Sequence, residues 1–264
     1  MQPPTSNIEL PDRPALEAMF VAKYGQPKSA GWAPKRRFQA GYYPPSEIYE
    51  AIVDRLVEPG EQWLDVGGGR YVFPGHDRLA ERIAQRSGSL ISVDPSDNVH
   101  DNPFAHETYQ SMLEDYPGDR VFDLATMRMV VEHVADPAGF TAALARLLKP
   151  GGRAVVLTVD RWAPLSLLAS VVPFGWHYPL KRLLWGGEER DTFPVHYRMN
   201  TLASLRRRFA EAGFEAELEA KLDDLSTFGA IAPLNRVELT TLRALRSMGL
   251  GYPERCLLGV YRKL

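Results

Sequence analysis

Apolar and polar residues alternate along this chain in short blocks, and their spacing predicts its strands and helices. Five short apolar runs have the length and composition of strands: QWLDV, LISVD, ETYQSM, VFDLATM and RAVVLTV. Apolar residues recur every three or four positions in DRLAERIAQR, PAGFTAALARLLKPGG and TLASLRRRFAEAGF, which predicts amphipathic helices. The later runs EAELEAKL and RCLLGVYRKL predict two more strands. Strands that alternate with helices indicate an α/β protein with a mostly parallel sheet and helices on both faces.

Local signals define the ends of several helices. Asp136 is a favourable N-cap for PAGFTAALARLLKPGG, with Pro137 in its first turn and Gly151 beyond its end. Two more helices are predicted before the first strand, one over PALEAMFVAKYG and one from Pro45 to Val57. The segment GQPKSAGWAPKRRFQAGYYPPSE between them is rich in glycine and proline and is predicted to be a loop.

Two stretches interrupt the alternation and are interpreted as insertions in a regular scaffold. One covers about residues 162–200 and is rich in tryptophan, proline and histidine. The other covers about residues 224–250 and contains a predicted helix from Asn235 to Met248. We therefore expect residues 1–44 to form an N-terminal extension and cap, and residues 45–264 to form one domain that carries both insertions.

The composition narrows the classes of function. The chain has 264 residues, of which 45% are hydrophobic and 24% are charged, and its formal net charge is -2. A nearly neutral chain lacks the excess of cations that is typical of nucleic-acid-binding proteins. The single cysteine, Cys256, rules out an internal disulfide and a zinc site built from cysteines.

No segment of the sequence has the pattern of an export signal or a membrane span. The N-terminus lacks the basic and then apolar order of a signal peptide. The longest apolar stretch, residues 162–176, is too short to cross a bilayer and contains Pro164 and Pro173. We expect a cytoplasmic protein without an integral membrane segment, and peripheral contact with a membrane stays open.

Glycines and acids follow the first two strands of the predicted sheet. Asp65 lies two residues before the run Gly67, Gly68 and Gly69, and Asp94 ends the second strand. Both positions fall at the carboxyl edge of a parallel sheet, where an acid can accept the two hydroxyls of a ribose. The combination predicts a site for an adenosine-containing ligand, whereas the glycines alone would equally fit a tight turn.

The glycine loop differs from a dinucleotide-binding loop. A G-x-G-x-x-G fingerprint that began at Gly67 would have Val72 in place of its third glycine. Asp65 would repel a pyrophosphate but would attract an ammonium group. Two other classes stay open on the residues alone: a nicotinamide-dependent oxidoreductase, and a non-catalytic cofactor-binding protein of the same fold.

Five motifs, in this order and spacing, resemble the class I S-adenosylmethionine-dependent methyltransferases. They are LDVGGGR, ISVDPSD, QSMLEDYP, FDLATMRMVVEHV and LLKPGGRAVVLTV, and the chain is most similar to the small-molecule branch that includes ubiquinone and menaquinone biosynthesis enzymes. The resemblance implies a Rossmann-like, seven-stranded, mostly parallel sheet with an antiparallel C-terminal strand. It also implies S-adenosylmethionine as the cofactor and methyl transfer to a small acceptor.

The resemblance implies a role for each matched position. Asp65, Gly67 and Gly69 would border the methionine part of the cofactor, and Asp94 would hold the ribose. The remaining cofactor-binding positions would be Tyr43, Pro95, Ser96, Ser111, Met112, Leu113, Met127 and Arg128. This sequence departs from the family pattern at Tyr71, where a third glycine is expected, at Ser111, where an acid is common, and in a longer gap between Asp65 and Asp94.

Three histidines are candidates for a catalytic base. His133 follows the fourth strand, and His196 lies in the first insertion, as does the weaker candidate His177. For each of them, a purely structural role is the alternative. No group of residues has the spacing of metal ligands, so a metal-assisted transfer is not expected.

The acceptor is predicted to be apolar or aromatic. The sequence TMRM after the fourth strand argues against a nucleobase amine as the acceptor, because the family's nucleic-acid amine methylators carry a different tetrad there. Residues 162–185 are predicted to form an apolar lid over the acceptor. Nine aromatic residues are predicted either to line an acceptor pocket or to seal the insertions onto the core. They are Trp32, Phe38, Tyr42, Tyr43, Trp162, Phe174, Trp176, Tyr178 and Trp185.

Overall fold

A seven-stranded sheet forms the centre of the protein in the computed structural model, which describes residues 8–171, 193–229 and 231–264. The strands follow the order β3-β2-β1-β4-β5-β7-β6 across the sheet. Their bounds are β1 Gln62–Val66, β2 Ser89–Asp94, β3 Glu107–Gln110, β4 Phe122–Arg128, β5 Leu148–Val159, β6 Phe214–Asp223 and β7 Arg255–Lys263.

The sheet is mostly parallel, as the sequence predicts. The pairs β1–β2, β2–β3, β1–β4 and β4–β5 are parallel, and β7 runs antiparallel to both β5 and β6. The strand order reverses between β1 and β4, so a crevice opens there outside the carboxyl ends of the strands. The expected seven-stranded Rossmann-like fold with an antiparallel C-terminal strand is confirmed.

Helices cover both faces of the sheet. They are α1 Arg13–Tyr24, α2 Trp32–Gln39, α3 Pro45–Leu56, α4 Asp77–Arg86, α5 Pro137–Leu147, α6 Pro164–Val171, α7 Leu202–Glu211 and α8 Ala232–Ser247 in the described part of the chain. The apolar pattern of DRLAERIAQR predicts the bounds of α4, and Asp136 caps α5 by accepting a hydrogen bond from the Ala138 N–H at 3.1 Å.

Two local predictions were wrong. The glycine- and proline-rich segment expected to be a loop contains α2, because Pro34 stands in its first turn, where its missing N–H is tolerated, and Phe38 packs on Phe20 with ring centroids 4.8 Å apart. The helix predicted over PAGFTAALARLLKPGG begins at Pro137 as expected but ends at Leu147. Leu148 instead begins β5, since it pairs with Phe122 across the sheet.

Two hydrophobic clusters form the core, one on each face of the sheet. On one face, residues of the strands pack with α5 and α7 through Leu144 and Phe209. On the other face, α3 and α4 pack through Ile52 and Ile83. Trp63 and Leu64 of β1 point into opposite clusters, as the two-residue period of a strand requires.

The segment between β6 and β7, interpreted from the sequence as the second insertion, packs against the residues that follow α2. It leaves the sheet after β6 and returns at β7, so it lies at the carboxyl edge of the parallel strands. A small apolar cluster joins Leu239 and Leu242 of α8 to Tyr42, whose hydroxyl oxygen also accepts a hydrogen bond from the Leu225 N–H at 2.8 Å. In the described parts of the chain, no helix is long and apolar enough to cross a membrane.

Candidate functional site

Three polar side chains form a row across the middle of the sheet. The register places Asp65 of β1 directly opposite Ser92 of β2 and Thr126 of β4. The Thr126 hydroxyl donates a hydrogen bond to Asp65 Oδ1 at 3.1 Å, and the Ser92 hydroxyl donates to Oδ2 at 3.4 Å. Asp65 is 3% exposed, so an acid stands in the otherwise apolar centre of the sheet.

This burial changes the ionisation of Asp65. Loss of solvation raises the pKa of its carboxyl group from 3.8 to about 7, and the hydrogen bond from Thr126 and the positive charge of Arg128 oppose part of the rise. A carboxylate in this position is a strong acceptor for a cation, because little water competes with the ligand.

The glycine loop is shaped around this acid. Gly67 and Gly69 have φ angles of 68° and 49°, in the left-handed region that favours glycine. A Cβ atom on Gly68 would lie 1.8 Å from Asp65 Oδ2, so the backbone approaches the carboxylate too closely for any side chain. The three glycines therefore place bare backbone beside the buried acid.

Asp94 connects the glycine loop to the end of β2. Its Oδ2 atom accepts a hydrogen bond from the Gly69 N–H at 3.1 Å, and its Oδ1 atom accepts one from the Ser96 N–H at 2.8 Å. These bonds hold the carboxylate at the carboxyl edge, next to the loop. A carboxylate at the end of this strand, with about four acceptor positions, is the type of group that accepts ribose hydroxyls.

The long gap between Asp65 and Asp94 is taken up by a loop that packs into the core. Val72 and Phe73 are buried, and the Phe73 ring stacks on Trp63 with centroids 6.1 Å apart. At the end of this loop, the buried His76 Nδ1 lies 2.8 Å from Glu50 Oε2 on α3. The extra residues thus serve packing, and they leave Tyr71, at the expected position of the third glycine, 47% exposed.

An arginine links the glycine loop to the segment that follows β2. Arg70 Nε lies 3.2 Å from Asp101 Oδ2, and its Nη2 atom donates to Asn98 Oδ1 at 3.0 Å. The sequence analysis did not identify Arg70, which connects the residues that follow β1 to the residues that follow β2.

The predicted adenine-side residues lie around Asp94. The Ser111 N–H donates to the Asp94 carbonyl at 3.1 Å, and Gln110 Nε2 lies 3.4 Å from the Pro95 carbonyl oxygen. Pro95 is exposed, Ser96 is partly exposed, and the Met112 side chain is 51% exposed.

Three other predicted positions have buried side chains. Leu113 and Met127 are 3% and 1% exposed and belong to the hydrophobic cluster that contains Leu144 of α5 and Phe209 of α7. Tyr43 is 9% exposed and packs edge-on against Phe38, with centroids 6.5 Å apart. Any role of these three in cofactor binding is therefore through backbone atoms or packing.

His133 lies at the carboxyl end of β4, in a short 3₁₀ turn from Val131 to His133. Its Nδ1 atom is 2.8 Å from the Pro194 carbonyl oxygen, and the Phe193 ring meets it edge-on at 6.0 Å. A carbonyl oxygen only accepts hydrogen bonds, so Nδ1 is the donor in this contact, and in the tautomer with a proton on Nδ1 the lone pair is on Nε2.

Glu132 holds the loop around His196 against the end of β4. The Glu132 carbonyl accepts hydrogen bonds from the backbone N–H groups of His196 and Tyr197, at 2.7 and 3.2 Å. Its buried carboxyl accepts a bond from the Thr158 hydroxyl at 2.6 Å, and burial raises its pKa. The His196 side chain is exposed at this place.

Several predicted residues lie outside the described residues: His177, Phe174, Trp176, Tyr178, Trp185 and most of the predicted lid. Within the described ranges, no group of three or more histidine, cysteine, aspartate or glutamate side chains could hold a metal ion.

The sequence reasoning also missed the surroundings of Asp65. Ser92 and Thr126 are polar residues inside apolar strands, and Trp63 Nε1 donates to the Thr126 hydroxyl at 2.8 Å. Their positions within LISVD and FDLATM were the available signal, but only the register shows that they meet Asp65.

A glycine loop after β1 and an acid after β2, beside the point where the strand order reverses, define a nucleoside-binding α/β protein. The sequence model of the methyltransferase domain family matches residues 39–219. The chain belongs to this family, and it is an S-adenosylmethionine-dependent methyltransferase.

Relatives and solved structures agree with this assignment. The chain is 31% identical over 214 residues to the ubiquinone biosynthesis O-methyltransferase of Thiobacillus denitrificans, which covers 76% of this chain and 85% of the relative. It is also 31% identical over 178 residues to the enzyme of the same name from Pseudomonas aeruginosa, covering 63% and 69% of the two chains.

Among solved structures, geranyl diphosphate C-methyltransferase from Streptomyces coelicolor shares the fold. The TM-score is 0.53 at 18% identity, over 82% of this chain and 76% of that one. These comparisons do not favour the oxidoreductase alternative.

Replacing Asp94 tests the ribose position. We expect Asp94→Ala to weaken binding of S-adenosylhomocysteine by roughly 1–3 kcal/mol in a calorimetric titration, because charge-assisted hydrogen bonds are lost. Asp119→Ala, an exposed acid just before β4 at the opposite edge of the sheet, is the matched control and should bind as the wild type does. Unchanged affinity in a folded Asp94→Ala variant would remove the ribose assignment.

Proposed function

We propose that this methyltransferase transfers the methyl group of S-adenosylmethionine to a hydroxyl oxygen of a small, apolar or aromatic acceptor. Asp65 would bind the ammonium group of the cofactor, Gly67 and Gly69 would border its methionine part, and Asp94 would accept the ribose hydroxyls. The proposal rests on the geometry of the cleft and on the named activity of the relatives, which are O-methyltransferases.

The residues of the cleft fit this cofactor. A buried carboxylate beside bare glycine backbone suits a positively charged amino-acid end, and a second carboxylate lies at the end of the next strand. Around Asp94, exposed or partly exposed residues would border the adenine, and they are Pro95, Ser96, Ser111 and Met112. Leu113, Met127 and Tyr43 would support this site from the core.

Arg128 would balance the charge of the site. It ends β4, is partly exposed, and its positive charge lowers the pKa of both Asp65 and Glu132. Among the described residues, no hydrogen-bond or ion-pair partner engages its guanidinium group. It is therefore suited to bind the carboxylate at the methionine end of the cofactor.

His133 carries the proposal that the acceptor atom is an oxygen. S-adenosylmethionine, when bound, supplies an electrophilic methyl group. A hydroxyl acceptor must lose its proton as the new bond forms, and Nε2 of the neutral His133 ring would accept that proton at the carboxyl edge. The hydrogen bond from Nδ1 to the Pro194 carbonyl holds the ring in place. His196 is the second candidate for this role, on the exposed loop beside it.

Apolar side chains near His133 support an apolar or aromatic acceptor. Phe193 packs beside the imidazole, and α6 begins after β5 at the same edge of the sheet. Trp162 is 62% exposed, and Leu167 and Leu168 are 43% and 47% exposed. We propose that this edge receives the acceptor, and that residues 1–44 form a cap beside it.

A panel of acceptors tests the proposed chemistry. The purified protein would be mixed with S-adenosylmethionine and either a phenol, an aniline of the same shape, or the phenol's methyl ether, and S-adenosylhomocysteine would be measured. We expect turnover with hydroxyl-bearing aromatic acceptors and none with the methyl ether. Faster turnover of the aniline would contradict transfer to oxygen.

A further inference from the structure

Large apolar side chains are exposed on the second insertion. In α8, Asn235, Glu238, Leu239 and Leu242 are buried, as expected for the face that packs on the protein. Leu234 and Val237, on the other side of the helix, are 42% and 63% exposed. Apolar side chains on the solvent side of a surface helix indicate an interaction site, because exposing them to water does not stabilise the fold.

The helix α2 lies beside α8 and adds to the exposed face of α8. Arg36 Nη2 donates to the Ala232 carbonyl at the start of α8 at 2.9 Å, and Arg243 of α8 donates to the Gln39 carbonyl at the end of α2 at 2.8 Å. The Arg36 guanidinium also lies 5.0 Å from the centre of the Trp32 ring, which is 46% exposed. We call the exposed parts of these two helices, together with residues 26–31 that lead into α2, the α2–α8 surface.

The same surface carries an excess of cations. Residues 26–40 contain four lysines and arginines and no acid, and α8 contains three arginines and one acid, Glu238, which is buried. Arg37 and Arg246 pair with Glu47 and Asp223. The five cations that pair with no acid in the described part of the chain are Lys28, Lys35, Arg36, Arg236 and Arg243. The whole chain has a net charge of -2, so the positive charge is local.

We propose that the α2–α8 surface docks the enzyme on an anionic lipid bilayer. Exposed aliphatic side chains and a tryptophan beside lysines and arginines are the features of a surface that binds in the membrane interface. The cations would meet negatively charged head groups, while Leu234, Val237 and Trp32 would enter the boundary with the acyl chains.

Other partners match this surface less well. A second copy of the chain on the same face would bring its five cations against five identical ones, which opposes a symmetric dimer. A nucleic acid would attract the cations, but its phosphate backbone would offer no apolar environment to Leu234 and Val237.

The α2–α8 surface lies at the edge of the sheet where the cofactor would bind, so docking on a membrane would bring the cleft close to the lipid. The insertion connects the end of β6 to the start of β7 at the carboxyl edge, where the cofactor cleft opens. A bilayer bound there would deliver an apolar acceptor to the edge of the sheet that holds His133. This last step rests on the proposed function, whereas lipid binding itself does not.

Vesicle sedimentation of the full chain without acceptor tests the proposal. We expect binding to vesicles of phosphatidylcholine with phosphatidylglycerol, weaker binding in high salt, and little binding to phosphatidylcholine alone. Each cation neutralised should weaken binding about fivefold, so the triple variant Lys28→Gln/Lys35→Gln/Arg236→Gln should lose on the order of 100-fold. Leu234→Gln/Val237→Gln should lose roughly tenfold.

Val121→Gln is the matched control, because Val121 is 46% exposed just before β4, at the opposite edge of the sheet. It should bind vesicles as the wild type does. Equal binding to neutral and anionic vesicles, or equal loss in the control, would overturn the proposal. A concentration-dependent dimer that the Leu234→Gln/Val237→Gln variant abolishes would overturn it as well, as would binding to duplex DNA that exceeds binding to vesicles.

The acceptor panel is independent of this measurement. Vesicle binding with no turnover of any hydroxyl acceptor would contradict the proposed function alone. Turnover without vesicle binding would contradict the docking alone.

Discussion

Replacing His133 with alanine should lower kcat on the natural acceptor by about 10²–10⁴-fold, the usual contribution of a general base. The 2.8 Å contact between Nδ1 and the Pro194 carbonyl oxygen fixes the orientation of the ring and leaves Nε2 as the nitrogen that would act as the base. Calorimetric affinity for S-adenosylhomocysteine should stay within a few-fold of the wild type, since Asp65 and Asp94 lie on other strands.

A second substitution separates the base from a structural role. His133→Asn keeps an N–H donor for Pro194 but has no basic nitrogen, so we expect it to be as slow as the alanine variant. Added imidazole should restore part of the activity of His133→Ala. Full activity in the asparagine variant would show that His133 only positions the 193–200 loop, and a large loss in His196→Ala would move the role of base to His196.

Replacing Asp65 with asparagine should weaken binding of S-adenosylmethionine roughly 30- to 150-fold, as expected for the loss of a charged partner in a buried site. Asparagine has nearly the same shape: its Oδ1 atom can still accept the hydrogen bond from Thr126, and its Nδ2 atom can donate to the Ser92 hydroxyl oxygen. The measurement is a calorimetric titration near pH 8, where the wild-type carboxyl group is ionised.

The pH dependence of cofactor affinity follows from the same group. The pKa of Asp65 is about 7 in the folded protein, so below that pH an increasing fraction carries a proton and cannot pair with an ammonium group. We expect the affinity of the wild type to fall by up to about tenfold per pH unit below pH 7. The D65N variant should show no such fall, and an identical pH dependence would contradict the assignment.

The free energy of unfolding should depend on pH in the opposite direction to the cofactor affinity. The pKa of this carboxyl group is 3.8 in the unfolded chain and about 7 in the folded protein, so the folded state binds the proton more tightly. The free energy of unfolding therefore falls as the pH rises from about 4 to about 7, by up to roughly 4 kcal/mol, and stays low above that range. Asp65→Asn removes this loss, so its Tm relative to the wild type should be higher at pH 8 than at pH 5. An unchanged Tm difference at the two pH values would show that Asp65 is ionised at both.

The strands and most helices could be predicted because their patterns are local. QWLDV and DRLAERIAQR each contain a complete period of strand or helix, and α5 carries its own cap at Asp136. The helix α2 could not be predicted, since Gly31 and Pro34 favour a loop and the helix is held by distant partners such as Ala232 and Phe20.

The candidate site was predictable in part. Asp65 and Asp94 could be identified because each lies near the end of a predicted strand, Asp65 two residues before Gly67 and Asp94 directly before Pro95. The row formed by Asp65, Ser92 and Thr126 depends on strand order and register, which no local pattern contains. The contact of His133 with Pro194 joins residues 61 positions apart for the same reason.

A crystal structure of the protein with S-adenosylhomocysteine would show whether Asp65 and Asp94 hold the cofactor. We expect both ribose hydroxyls within about 2.6–3.0 Å of the Asp94 carboxylate and the ammonium nitrogen within about 2.7–3.2 Å of Asp65, with the sulfur facing the side of the cleft that holds His133. A ligand whose ribose contacts neither Asp94 nor the glycine loop, or whose sulfur lies on the far side of β1 from His133, would contradict this expectation.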